Sequence, residues 1–578
     1  MKRYLALAFL AYFCPVAFAQ DWAPEGNSGW TDKAPVIAKH WMVGAANPHA
    51  VEAGYRILQR GGNAVDAAVA VQLVLGLVEP QSSGLGGGAF LLLHDGKGNR
   101  LIAYDGRETA PAAAKPDRFM KDGAPMAFHD AVVGGKSVGV PGTVRLLETV
   151  HKKHGRMPWA ELFAPAIALA EQGFAVSPRL HALLAADRHI TQVRAREYFF
   201  GADGKPVPVG TLLKNPAYAE TLRRIATGGA DSFYRGEIAR DIVDTANSQG
   251  TNPGDLTLAD LAGYRVQVRA AICDTYRGFR VCGVPLPSSG GVTVLQMLKM
   301  LEPYDLRAMG PASFWSVHFF SEAGRLAFAD RDVYEADPAF YTPPSGLLDP
   351  AYLRERSALI KADSSMKSAA PGNPPERRVA QKKVALGRGS ALEFPSTSHI
   401  SIVDKYGNAL AMTTTIEDGF GSRLMTRGGF LLNNELTDFS FVPTDHGKPV
   451  ANRVEGGKRP RSAMSPTIVY DKAGRVAIVT GSAGGSAIIN YVAKTLVAII
   501  DWDLDPQAAL ALPNFGSRNG PTELERNTGV VALEPKLRAI GAQVWIASQT
   551  SGGQAIVRAK SGWIGGADPR REGVVRGE

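Results

Sequence analysis

The stretch Ser396-Thr397-Ser398-His399-Ile400-Ser401-Ile402-Val403-Asp404 decides how this chain is read. It ends a long polar segment and opens an alternating run, the period of a β-strand. A cut in front of Thr397 leaves a threonine as a new N-terminus. Such a residue carries a hydroxyl nucleophile and, a few bonds away, an amine that acts as its base. The stretch therefore points to a precursor cut between Ser396 and Thr397. A threonine at a strand start is ordinary by itself, so the reading depends on its company.

Immediately upstream, from about 361 to 395, Ser, Ala, Pro, Lys and Arg dominate and apolar periodicity disappears. This composition predicts an exposed, mobile segment of the kind where chains are cut. Downstream, His399 to Val403 alternates, Asp404-Lys405-Tyr406-Gly407-Asn408 turns, and Ala409 to Thr415 alternates again. A second hairpin pairs Thr467–Tyr470 with Val476–Thr480, and an apolar helix follows from about Ser486 to Ile500.

The chain has 578 residues with 45% apolar content, enough for a large core. Lys2 and Arg3, the apolar run Tyr4 to Phe13, and Ala17-Phe18-Ala19 read as a secretory leader cut after Ala19. The run is too short to span a membrane, so an exported, periplasmic or secreted protein without a membrane span is expected. Loss of the leader removes Cys14 and leaves Cys273 and Cys282 on either side of a hairpin turning at Tyr276-Arg277-Gly278. A disulfide between them and a pair of buried thiols are both open on this pattern. The formal charge of +9 is spread along the chain and lacks interleaved aromatics, which excludes a nucleic-acid surface.

Toward the N-terminus, Ala64 to Leu77 is apolar nearly all round and predicts a buried helix. Ser83-Gly84-Leu85-Gly86-Gly87-Gly88 leads into the strand Ala89 to Leu93. It lacks the Lys-Ser/Thr and the following helix of a phosphate loop, so close backbone packing explains it better. The middle, about 142–260, is mainly helical. Pro287-Ser288-Ser289-Gly290-Gly291 starts another helix through Leu301.

Several residues suit amide chemistry. Gly484 and Gly485 precede the Ser486 helix, where backbone N–H groups favour negative charge and suit an oxyanion. Arg107, just past a strand in Asp105-Gly106-Arg107-Glu108, is able to clamp a carboxylate with two N–H groups. The bland alternative is a surface arginine paired with Asp105 or Glu108. Glu417, Glu435 and Asp438 gather acid within a short span and would hold an ammonium group, or else be solvated loop charge.

With these elements in order, the chain resembles the gamma-glutamyltranspeptidase family of N-terminal nucleophile hydrolases. The resemblance runs from about residue 35 to Arg570. It rests on Thr397-Ser398-His399-x-Ser401-x-Val403-Asp404, the Ser83 to Phe90 turn, Asp105-Gly106-Arg107-Glu108, Pro287-Ser288-Ser289-Gly290-Gly291, Leu432-Asn433-Asn434-Glu435, Lys458-Arg459-Pro460, Met464-Ser465-Pro466-Thr467, Gly481-Ser482-Ala483-Gly484-Gly485 and Asp568-Pro569-Arg570. It implies an α+β fold, a four-layer αββα sandwich built jointly by a large fragment (20–396) and a small one (397–578). It implies Thr397 as nucleophile in self-cleavage and turnover, and Thr415 as the hydroxyl that orients it. Arg107 and Ser462 would hold the α-carboxylate of a glutamyl group, Glu417, Glu435 and Asp438 its ammonium, and Gly484 and Gly485 the oxyanion. The implied donors are glutathione or glutamine and the acceptors water, amino acids or peptides. No metal or cofactor is expected, and His399 is expected to be structural.

Two departures stand out. Ala463 replaces the second of the family's paired serines, removing a hydroxyl worth about 1 kcal/mol to the carboxylate clamp; Arg461 is a candidate replacement. The segment from Phe441 to Gly457 is short for a lid and has no tyrosine, which favours an open pocket and substantial hydrolysis. Two other functions fit parts of the pattern: a glutaryl or cephalosporin acylase, whose substrate lacks the ammonium, and a non-catalytic binder of γ-glutamyl peptides.

Overall fold

The computed structural model describes residues 29–376, 385–394 and 396–578. The expected leader, residues 1–19 with Cys14, lies outside the described residues.

Fourteen strands make two sheets. In chain order they are β1 (Val36–Ala38), β2 (Met42–Ala45), β3 (Gly88–Asp95), β4 (Arg100–Gly106), β5 (Gln267–Arg269), β6 (Ile272–Tyr276), β7 (Phe279–Gly283), β8 (Thr397–Val403), β9 (Ala409–Thr415), β10 (Thr467–Tyr470), β11 (Val476–Gly481), β12 (Gln554–Arg558), β13 (Trp563–Ala567) and β14 (Val574–Gly577). One seven-stranded sheet has the order β14-β2-β8-β9-β3-β4-β5 and the other β1-β13-β12-β11-β10-β7-β6. Neighbours in both are antiparallel.

Strand alternation sorts side chains between two cores. On β3, Leu91 and Leu93 join a core with the helices α1 (Pro48–Gln59) and α2 (Ala64–Val78), whereas Phe90 and Leu92 face the second sheet. The far side of that second sheet is covered by α3 (Gly290–Leu301), α4 (Phe314–Tyr334) and α5 (Ile488–Ile500). The architecture is a four-layer αββα sandwich, the α+β class that the family resemblance implies.

The local reasons are those read from the residues. Every side chain of α2 is buried; each Val or Leu in it contributes about 1.5–3 kcal/mol of transfer free energy. Its start is fixed by a reciprocal cap between Asn63 and Asp66. The β6–β7 hairpin turns through Arg277 (φ +50°) and Gly278 (φ +84°), so Cys273 falls directly opposite Cys282 and the two form a disulfide. The glycine turn is indeed a packing device. A Cβ on Gly86 would lie 2.1 Å from the Leu431 carbonyl, and one on Gly87 2.1 Å from that of Thr415.

One boundary differs from the expectation. Helix α5 begins at Ile488, not Ser486, because Gly484 (φ +140°) and Gly485 (φ +55°) leave the helical region and the chain enters through a 3₁₀ turn, Gly485–Ala487.

Candidate active site

The site forms where β8 begins. In the β8–β9 ladder Thr397 stands opposite Thr415, and the Thr397 hydroxyl lies 3.3 Å from Thr415 Oγ1. Thr415 Oγ1 also lies 2.6 Å from the Ser396 carbonyl and accepts the Glu417 N–H at 2.9 Å. These contacts fix the protons. A carbonyl only accepts and an amide N–H only donates. The Thr415 proton therefore goes to the Ser396 carbonyl, and the Thr397 hydroxyl donates to Thr415. The Ser396 hydroxyl in turn donates to the Gln81 carbonyl in the turn before Ser83. From the other side, the buried Arg571 donates to the Thr397 carbonyl at 2.9 Å.

His399, two residues along the same face, is fully buried against Gly481 of the second sheet. Its ring nitrogens meet Thr413 Oγ1 and Ser401 Oγ, each at 2.9 Å. Burial pushes its pKa down to about 3, so it stays neutral and serves packing.

A charged cluster adjoins the threonines. Arg107, at the end of β4, is fully buried and binds Glu435 and Asp438. These two acids sit on one 3₁₀ turn, Glu435–Asp438, where positions three apart share a face. Arg107 also donates to the carbonyls of Pro460 (3.2 Å) and Arg461 (2.8 Å). The surface arginine of the bland alternative is thus not what forms. Glu108 closes the cluster 3.9 Å from Arg107 and is itself fully buried. Burial raises the pKa of all four acids. For Glu417 the neighbouring acids Asp438, Asp418 and Glu435 add to it; for Asp438 the Arg107 charge offsets only part of it, leaving that carboxyl at about 8. One guanidinium faces three buried carboxyls, Glu435, Asp438 and Glu108, and a fourth, Glu417, lies beside them without it, an environment that attracts a further cation.

Glu417 links the cluster to the threonine pair through its N–H on Thr415. Its Oε1 accepts the Phe394 N–H at 2.9 Å, and its Oε2 accepts from the Asn434 side-chain amide. Ser462 lies beyond Arg461, and its hydroxyl accepts the Met464 N–H at 3.1 Å. Ala463 is buried in the core. The Arg461 guanidinium, the candidate replacement for the missing hydroxyl, turns instead to Glu393 at 3.2 Å.

The turn at Gly484 and Gly485 packs on the chain just before Ser396: a Cβ on Gly485 would lie 2.6 Å from the Glu393 carbonyl. A cleft of about 960 Å³ opens beside it, lined by Arg331, Ser486, Arg518, Glu523, Trp545 and the segment 388–392. The segment Phe441 to Gly457 contains one small hairpin, Thr444–Asp445 against Lys448–Pro449, and Asp445 and His446 at its turn border this cleft. The described parts of the polar segment, residues 361–376 and 385–394, contain no helix or extended strand. They are tied down at points, as by Ala369 N–H to Asn519 (2.6 Å) and Gly389 N–H to the Asp332 carbonyl (2.9 Å). Asn434, Glu393, Arg331 and Arg571 join the site without a role of their own in the sequence pattern; Asn434 alone stands inside one of its motifs, Leu432-Asn433-Asn434-Glu435.

The gamma-glutamyltranspeptidase family profile matches residues 50–577. The chain is 37% identical over 486 residues to the glutathione hydrolase proenzyme of Bacillus subtilis (strain 168), a match spanning 83% of this chain and 81% of that protein. It is 35% identical over 583 residues to the glutathione hydrolase proenzyme of Escherichia coli (strain K12), spanning 99% and 97%. Among solved structures, a cephalosporin acylase from Bacillus halodurans matches with a TM-score of 0.82 at 28% identity, over 98% of this chain and 99% of that one. With a profile match over most of its length and relatives above a third identical, the chain belongs to the gamma-glutamyltranspeptidase family.

Proposed function

We propose that this protein is a self-cleaving threonine-nucleophile enzyme that breaks γ-glutamyl amide bonds, as in glutathione, and passes the glutamyl group to water or to an amino acid or peptide. The observation that carries this reading is the Thr397–Thr415–Ser396 contact set beside a buried cluster of one arginine and four acids.

Self-cleavage needs no outside reagent but water. The Thr397 oxygen attacks the Ser396 carbonyl carbon. Its proton passes to Thr415 Oγ1, whose own proton passes to the former carbonyl oxygen. The C–N bond then breaks as the hydroxyl proton of the tetrahedral intermediate passes to the Thr397 nitrogen, re-forming the C=O and leaving an ester and a free amine. Water hydrolyses the ester, and the products are residues 20–396, ending in the Ser396 carboxylate, and residues 397–578, a heterodimer held by the shared sheets. In turnover the freed amine, with a pKa of about 8, takes the Thr397 hydroxyl proton. The oxygen attacks the γ-carbonyl, the amine leaves protonated, and a glutamyl ester remains for water or an acceptor amine to resolve. Gly484 and Gly485 are proposed to face the developing oxyanion.

In the uncut chain the Phe394 N–H already occupies Glu417 and Ser396 occupies Thr415, so a donor must wait for the cut. We assign the α-carboxylate of the donor to Arg107 with Ser462, and its ammonium to Glu417, Glu435 and Asp438.

The similarity to a cephalosporin acylase favours a second reading, hydrolysis of glutaryl amides. Glutaryl brings no cation to a pocket with excess buried carboxyls, which opposes that reading. Rates on γ-glutamyl and glutaryl anilides separate the two: the glutamyl compound is expected to be faster, and a faster glutaryl compound overturns the assignment. The leader-like N-terminus and the Cys273–Cys282 bond support an exported enzyme. Among the described residues no helix is long and apolar enough to cross a membrane.

A further inference from the structure

The chain entering the cut site is held by a buried ion cluster that the chemistry above does not use. Glu393, four residues before Thr397, is fully buried, and its carboxylate lies between two guanidiniums. Arg331, from the C-terminal part of α4, binds one oxygen; Arg461, from the loop that also supplies a carbonyl to Arg107, lies 3.2 Å from the other. Both arginines are themselves buried and cross-braced. Arg331 donates to Ser289 Oγ at 2.7 Å, and Arg461 donates to the Arg331 carbonyl at 3.0 Å.

The backbone at Glu393 is also constrained. Its φ is +42°, in the left-handed region that a non-glycine residue occupies only when its surroundings hold it there. Its carbonyl packs on Gly485, and the next N–H, of Phe394, is bound to Glu417. Burial opposes ionisation of Glu393, but the charges of Arg331 and Arg461 outweigh it and hold the carboxyl below the ordinary range.

Downstream of the cut, β8 is fixed by its ladder to β9. Upstream, among the described residues 385–394, no strand or helix holds the chain, yet the Ser396 carbonyl must stay on Thr415. We propose that Glu393 is a positioning residue for self-cleavage: its carboxylate, locked between Arg331 and Arg461, anchors the chain so that the Ser396 carbonyl is presented to the Thr397 hydroxyl. This rests on the self-cleavage reading above. The anchor acts by fixing two reacting groups at close range, where loss of orientation carries a large rate penalty. Once the bond is cut the carbonyl no longer needs presenting, so Glu393 acts on maturation and not on turnover.

The test measures the two separately. Full-length precursor of the wild type and of Glu393→Gln is followed on a denaturing gel for the rate of cutting. The cut material is then assayed on a γ-glutamyl anilide. Cutting is expected to slow at least tenfold, with kcat and KM of the cut enzyme within twofold of wild type. Cutting at the wild-type rate overturns the proposal, as does an equal loss in cutting and turnover, which marks a general structural defect. If Glu393→Gln fails to fold, by near-UV circular dichroism in a Thr397→Ala background, Glu393→Asp is judged by the same two rates. It keeps the charge on a shorter arm and is expected to cut at an intermediate rate. A wild type that never cuts between Ser396 and Thr397 refutes the functional reading itself, whatever Glu393 does.

Discussion

Thr415 Oγ1 donates to the carbonyl of Ser396, 2.6 Å away, while accepting the hydroxyl proton of Thr397 from the strand beside it. In the proposed self-cleavage, one side chain thus polarises the bond to be cut and receives the proton of the group that attacks it. Replacing Thr415 by Val keeps the shape and removes both functions. Loss of one such donor costs on the order of 100-fold or more in rate, so Thr415→Val precursor is expected to persist uncut on denaturing gels where wild type is cut. Thr415→Ser, which restores the hydroxyl, is expected to cut.

The pairing of Asp438 with Arg107 predicts a substrate-dependent effect. A hydrogen bond to a charged group contributes about 1.5–3 kcal/mol. Asp438→Asn is therefore expected to raise KM for a γ-glutamyl anilide about 10- to 100-fold while changing that for a glutaryl anilide far less. Equal changes on both substrates, in steady-state assays, contradict the ammonium assignment.

The same acid sets a pH dependence. Burial holds the Asp438 carboxyl up at about 8. A bound ammonium favours its ionised form, so donor binding releases a proton and affinity rises with pH. KM for the donor is expected to fall between about pH 6 and pH 7.5, the range in which the donor amine itself stays charged. A flat or rising KM over that range contradicts it.

His399 gives a stability signature. Its pKa is lowered from 6.5 to about 3 in the fold. Below pH 6.5 the unfolded chain takes up a proton that the folded chain refuses, so this stability is complete above the ordinary value and is lost progressively down to about 3. The loss at about pH 5.5 is on the order of 1 kcal/mol. In urea titrations at about pH 7.5 and 5.5, His399→Gln is expected to show a smaller drop than wild type.

What was legible in the sequence was local. The alternation of His399 to Val403, the apolar face-all-round of α2, the glycines at 86 and 87 and the hairpin turn at Arg277-Gly278 each depend on neighbours a few residues apart. The disulfide needed one more fact, the register that sets Cys273 opposite Cys282. The acids were visible as a cluster because Glu435 and Asp438 are one 3₁₀ turn apart. What stayed hidden was long-range charge pairing. Glu393 meets Arg331 and Arg461 across 62 and 68 residues, and Arg571 reaches Thr397 across 174. No period or motif connects such positions. The surface pairing considered for Arg107 gave way for the same reason: its partners lie more than 300 residues away, and they bury it.

The most direct test is N-terminal sequencing of the smaller fragment from active enzyme. The account predicts a single start at Thr397, reading Thr-Ser-His-Ile, and a larger fragment ending at Ser396. Full activity in material whose Ser396–Thr397 bond is intact contradicts it.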